Sequence, residues 1–307
     1  MENVKNIQKI DIHAHAALFR EYSPLYKPDK PESKFVSPEQ LIEFYDKLGI
    51  EKGVLLPIVS AEGQTAPMTS EACKYITVQY PDRFFWFCNV DPRAFPNRPT
   101  ADLVRLIEHY KSLGALGVGE ITALLDMDDP KVDNLFAACE KCDMPVMIHI
   151  SQSYEDAYGL YDEVGLPRLE KVLQKYPNLK VIGHSAPFWT EISGDVTFET
   201  RGGYPKGKVT EGGAVVRLMR QYPNLYCDYS AGSGCNAFTR DEEFTAKFIA
   251  EFHDRVLFGC DICFPYNTQG FTLTAALDRM LDAGKISPEH YKEFIRENAR
   301  KILKLDK

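Results

Sequence analysis

Short runs of β-branched, aromatic and other apolar residues alternate along the chain with longer stretches whose apolar positions recur every three to four residues. The first pattern predicts strands and the second predicts helices. Strands are predicted at 9–16, 52–58, 83–90, 115–121, 145–151, 180–185, 225–231 and 256–262. Helices are predicted at 38–48, 67–80, 100–113, 131–142, 167–175, 212–222, 241–252 and 272–283. Pro38 and Pro167 fall in first turns, and Gly49, Gly114 and Gly284 follow last turns, as helix starts and stops require. Several of the strand runs are apolar on both faces, as in parallel strands covered on each side. Eight strand–helix units predict an α/β fold of the (β/α)8 TIM-barrel kind, as a single domain over 1–307. A doubly wound sheet would not need eight regular units. The stretch from Pro288 to Leu305 adds one or two helices as a C-terminal extension.

The first strand run, KIDIHAHA, carries polar residues where a buried strand should not. Asp11, His13 and His15 are spaced two apart, which on a regular strand puts all three on one face. Two histidines at i and i+2 are a weak signal alone. They gain meaning from what ends the other strands: Glu120 in GVGEI, His149 in MIHIS, His184 in IGHS and Asp261 in FGCDI. In a barrel of this kind the strand ends form one rim, where active sites lie. His13, His15, Glu120, His149, His184 and Asp261 are therefore expected to converge there as ligands of a divalent metal. Asp11, deeper on the same face, is expected either to orient a ligand histidine or to pack. Asp228, on the seventh strand, reads equally as a substrate contact or a layer of the barrel.

Composition narrows the classes of function. The 307 residues are 44% hydrophobic and 26% charged, with a formal net charge of −8 and no basic stretch. Nucleic acid and membrane surfaces are thus poor partners, and a small-molecule substrate is expected. The N-terminal MENVKNIQKI lacks the apolar core of a signal peptide, and no apolar run reaches transmembrane length. Eight cysteines in such a chain predict reduced thiols and a cytoplasmic location. Cys139-x-x-Cys142 and Cys260-x-x-Cys263 imitate a four-cysteine zinc site. The first pair, however, falls on an outer helix, so buried structural thiols are the expectation.

Taken with "DIHAHA", "GVGEI", "LFGCDICFP" and the terminal "ENARKILKL", these strand-end residues resemble the amidohydrolase superfamily. Within it the chain is most similar to the amidohydrolase-related group that also contains aromatic-acid decarboxylases. The resemblance covers nearly the whole chain. It implies that His13, His15 and His149 hold a first metal and that His184 holds a second or contacts substrate. It implies too that Asp261 is both ligand and general base. Many members bridge two metals with a carboxylated lysine on the fourth strand. Here Glu120 stands in its place, as in TatD-type deoxyribonucleases, although GEITALLD matches their GEIGLD only locally. Zinc suits these donors best, with manganese or iron as alternatives, at one or two ions per chain.

Substrate selection is expected in the loops 17–37 and 186–211, which carry aromatic and basic residues suited to a small organic acid. Arg201 and Trp189 are the residues expected to bind it. The first reading of function is hydrolysis of an amide, ester or lactone by an activated water, with Asp261 and His184 as catalytic groups. Non-oxidative decarboxylation of an aromatic or unsaturated acid is the alternative. A metal-storing or interaction protein is the third, and an open rim of ligand-type side chains speaks against it. The sequence leaves a homo-oligomer open.

Overall fold

A computed structural model describes residues 4–155 and 158–306. Among the described residues nine strands form: β1 (Lys9–Ala14), β2 (Ile50–Leu55), β3 (Phe84–Trp86), β4 (Val118–Ile121), β5 (Val146–Ser151), β6 (Leu160–Tyr161), β7 (Val181–His184), β8 (Leu225–Asp228) and β9 (Val256–Leu257). β1-β2-β3 make one parallel sheet, and β4-β5-β7-β8-β9 make the other, with the short β6 paired to β5. The two sheets are not one continuous ladder. Backbone hydrogen bonds nevertheless cross both seams: Cys88 N–H donates to Gly117 O at 3.0 Å, and Ile12 N–H donates to Phe258 O at 3.0 Å. The strands thus stand in a ring of eight, helices cover the outside, and the α/β barrel class is as expected.

Strand after strand, one residue in two faces inward. Ile10, Ile12, Val54, Phe87, Met147 and Ile182 form an apolar plug inside the ring, with Leu257 beside them. Ala299, Ile302 and Leu303 of the C-terminal helical segment join this cluster, closing the barrel at the N-terminal ends of the strands. Every one of these residues is under about a twentieth exposed, so the plug is dry packing that leaves the opposite rim as the place for polar chemistry.

The helices follow their signals closely. Pro38–Leu48 opens on a capping box of Ser37 with Gln40 and stops at Gly49, whose φ of 66° needs a residue without a Cβ. Pro167–Lys175 also matches its expectation. The strands are shorter than their apolar runs, because the residues beyond each last ladder bond turn into rim loops. Helix Ala231–Thr239 lies where the pattern gave only the end of a strand. Its sequence, AGSGCNAFT, has little helical propensity of its own, and packing on the neighbouring helices sustains it. The long loop 186–211 likewise contains short helices at Ala186–Thr190 and Phe198–Arg201. Among the described residues no helix is long and apolar enough to cross a membrane.

One correction bears on the rim. Asp11 pairs with Gly53 and Ala14 with Leu55, so three steps on β1 oppose two on β2. This extra residue is a β-bulge, and it reverses the inward–outward phase of the strand. Ile12 and His13 consequently both face the interior, while Asp11 faces outward, beneath helix Pro38–Leu48. The Asp11 carboxylate accepts hydrogen bonds there from the Tyr45 hydroxyl at 2.8 Å, from His13 N–H at 3.0 Å and from Cys260 N–H at 2.9 Å. It does not share a face with the two histidines. Burial pushes Asp11 up to about 7 in spite of those three donors.

Candidate metal centre

The bulge sends the His13 ring inward, and the chain leaving β1 brings the His15 ring beside it. Their Nε2 atoms are 3.0 Å apart. Each ring is held by its other nitrogen. His13 Nδ1 lies 2.7 Å from Asp228 Oδ2, and His15 Nδ1 lies 2.9 Å from the carbonyl oxygen of Leu56. Imidazoles held at Nδ1 in this way present Nε2 to whatever occupies the rim.

Two carboxylates face that pair. Glu120 Oε2 is 3.6 Å from His13 Nε2 and 3.5 Å from His15 Nε2, and Asp261 Oδ1 is 3.6 Å from both. The other oxygen of Glu120 turns to a second pair of rings. Oε1 is 2.6 Å from His149 Nδ1 and 3.9 Å from His184 Nε2. His184 Nε2 is also 4.0 Å from Asp261 Oδ2. All six residues expected at the rim are thus brought together, from β1, β4, β5, β7 and the turn after β9. Asp261 reaches its place with φ near 51°, a left-handed conformation that aspartate tolerates better than most side chains, and its N–H donates to His13 O at 2.9 Å.

Asp228, whose sequence position suits a substrate contact and a barrel layer equally, lies under the site. Its Oδ2 lies 2.7 Å from His13 Nδ1, 3.0 Å from His184 Nδ1 and 2.6 Å from the Ser230 hydroxyl. One buried carboxylate therefore orients two rings at once. Its position at the end of β8, matching the other strand-end residues, was a signal available in the sequence. Cys263 was read as a structural thiol, yet its Sγ is 3.3 Å from Asp261 Oδ1, so it belongs to the rim.

Arg201 and Trp189, expected to meet substrate, are placed in the interior. The Arg201 guanidinium is fully buried, 2.8 Å from Glu191 Oε1, and bonds the carbonyl of Asp162. The Trp189 indole N–H donates to Asp228 O at 2.9 Å, and its ring packs on Tyr229. The loop that carries them folds back as two short helices and buries them. Tyr158, which the sequence did not single out, borders the site instead. Its ring lies 4.6 Å from that of His149.

The electrostatics suit a cation. Burial works against a charged His13, yet Asp261, Asp228 and Glu120 together hold its affinity for a proton well above the usual range. Burial would likewise raise Glu120 and Asp228, but the neighbouring imidazoles keep both well below the ordinary carboxylate range. The surplus of buried negative charge attracts positive charge of any kind. The spacing favours a metal over a proton. Donors at 3.0–3.6 Å from one another match adjacent ligands of an ion bound at about 2.0–2.2 Å. The residues present fit the divalent transition ion that their chemistry suggests.

Comparison with known proteins agrees with this picture. A family model described as amidohydrolase matches residues 10–305. No curated protein sequence matches the chain. Among solved structures, a 2,6-dihydroxybenzoate decarboxylase from Rhizobium is similar at 17% identity and a TM-score of 0.60, with 98% of this chain and 99% of that one covered. The 5-carboxyvanillate decarboxylase of Novosphingobium aromaticivorans, complexed with manganese and 4-hydroxy-3-methoxy-5-nitrobenzoic acid, is similar at 18% and 0.63, covering 98% and 97%. A probable 2-pyrone-4,6-dicarboxylic acid hydrolase from Acinetobacter baumannii, with citric acid bound, follows at 14% and 0.61, covering 97% and 100%. At these identities the likeness speaks for the fold.

Proposed function

From the premise that the chain belongs to the amidohydrolase family, we propose that it is a metal-dependent hydrolase of an amide, ester or lactone in a small organic acid. The observation that supports this reading is the placement of Glu120. One of its oxygens faces the His13–His15 pair and the other faces His149 and His184. Glu120 with these four histidines would hold one or two divalent ions. We infer zinc from the imidazole and carboxylate donors, with manganese or iron as alternatives.

When bound, such ions supply a water whose pKa is lowered toward about 7 and a positive charge for the oxygen of the scissile carbonyl. The protein does the rest. Asp228 and Leu56 O hold the Nδ1 sides of His13, His184 and His15, so that three rings present Nε2 to the centre. Asp261, whose side chain is 19% exposed, is the carboxylate open to substrate. It takes the proton from the attacking water and passes it to the leaving group. His184, set back about 4 Å from both Glu120 and Asp261, stands where it can hold the substrate's oxygen or a second ion.

Decarboxylation of an aromatic or unsaturated acid is the second reading, favoured by the likeness to the two decarboxylases. There Asp261 would deliver its proton to the ring carbon that loses carbon dioxide. The test is turnover of metal-loaded protein on lactones, amides and esters beside hydroxybenzoates, with carbon dioxide measured. Hydrolysis without carbon dioxide release supports the first reading; carbon dioxide release without hydrolysis replaces it with the second. Glu120→Gln should lose one or both rim ions by elemental analysis. Full retention would remove Glu120 from between the two imidazole pairs. In this proposal the chain works in the cytoplasm, on a small molecule, alone or as a homo-oligomer.

A further inference from the structure

At the other end of the barrel three donors meet that the rim does not use. His253 follows helix Glu242–Phe252 and precedes β9, so it lies at the N-terminal ends of the strands. His290 and Glu293 stand at i and i+3 on the C-terminal helical segment, and so on one of its faces. His253 Nδ1 is 2.7 Å from Glu293 Oε2. The His253 and His290 rings lie almost parallel, 4.6 Å apart with 11° between their planes. One donor atom from each of the three residues lies within 4.8 Å of the others. Among the described residues, neither ring nitrogen of His290 has a protein hydrogen-bond partner.

We propose that His253, His290 and Glu293 form a second metal site, independent of the rim, which takes zinc or another imidazole-seeking ion such as nickel or copper(II). Two imidazoles and one carboxylate are the donors such ions prefer. The backbone holding them is fixed in advance. Asn298 Nδ2 donates to His253 O at 2.6 Å and to Val256 O at 2.8 Å, tying the C-terminal segment to the turn that carries His253. His253 also caps the C-terminal end of its helix, where the helix dipole is negative and a cation is favoured. All three side chains are half-exposed, so an ion can enter from solvent and complete its shell with water. To bind, the His290 ring must tilt out of the stack and turn a nitrogen toward His253 and Glu293.

The ion would clip the C-terminal segment to the barrel. That segment carries Ala299, Ile302 and Leu303, which seal the inner plug, so occupancy should be read as stability. The experiment strips the full chain of metal and titrates zinc by calorimetry, in parallel with the His253→Gln/His290→Gln variant. Unchanged circular dichroism shows that the variant folds. The result expected is one zinc fewer per chain in the variant and a smaller rise in Tm on adding zinc. Equal stoichiometry in parent and variant would overturn the site. Should the double variant not fold, His290→Gln alone serves, since among the described residues its ring nitrogens make no protein hydrogen bond. Loss of one zinc then supports the proposal, and the same count as the parent overturns it.

Discussion

At the scale of single residues, Asp261 carries the sharpest prediction. Its carboxylate faces both Nε2 atoms of the histidine pair and still meets solvent. Asp261→Asn keeps the shape and one coordinating oxygen but cannot accept a proton. Turnover should fall by roughly 10²-fold or more, in kcat and kcat/KM together, with the fold kept and metal largely kept. Near-normal turnover with metal bound would move the proton-carrying role to another side chain, His184 first. Asp228 makes a contrasting case, because it is fully buried and acts through two rings. Asp228→Asn removes the charge that holds His13 and His184 by Nδ1. The expected outcome is a loss of about 10- to 100-fold in zinc affinity, measured by competition with a chromophoric chelator. A variant with parental affinity would show that the rings keep their orientation without it.

At the scale of elements, the bulge in β1 decides the site, and the contact beneath it can be tested. Gly53 sits opposite Asp11, and a Cβ there would come within 1.8 Å of the Tyr45 hydroxyl and 2.6 Å of its ring carbon Cζ. Gly53→Ala must push the phenol away from Asp11 and leave a buried carboxylate short of a donor. The cost should be about 2–4 kcal/mol from overpacking and the lost hydrogen bond, read by denaturant unfolding. A change below about half a kcal/mol would mean that helix Pro38–Leu48 shifts freely on the sheet. The C-terminal segment is the other element with a structural task. Leu303→Ala removes a side chain that seals the plug under the barrel, and should cost about 2–5 kcal/mol.

At the scale of the whole molecule, the rim gathers donors from five places along the chain, so a bound ion stabilises the folded state over the unfolded one. Free zinc at a hundredfold above its dissociation constant contributes about 2.7 kcal/mol, on the order of 5 °C in Tm for a chain of this size. His13→Ala/His15→Ala should abolish that gain and most of the rim metal. The measurement belongs in the His253→Gln/His290→Gln background, so that an ion at the other end of the barrel is not counted. Retained occupancy there would remove the two histidines from the ligand set.

The architecture was legible in the sequence because local rules write it. Apolar runs of strand length, proline and glycine at helix ends, and the Ser37–Gln40 cap are features of neighbours within a few positions, and they mark the same elements in the structure. Six ligand-type residues at strand ends were legible for a related reason. A parallel barrel sends every strand's end to one rim, so equivalent positions in eight units become neighbours in space. Other features depended on contacts that no local pattern records. The phase of β1 at Asp11 was set by one extra residue against β2, and a period of two could not reveal it. Arg201 and Trp189 lie on a stretch that looks like an open loop, and Glu191 within that stretch together with Asp162 and Tyr229 from outside it draws them inside. Helix Ala231–Thr239 has weak propensity and exists through its packing partners. Asp228 could have served either role until the tertiary fold placed two histidine rings against it. Spacing along the chain thus determined which groups share a rim. The direction each side chain takes came from pairing register and burial, which exist only once distant segments are in contact.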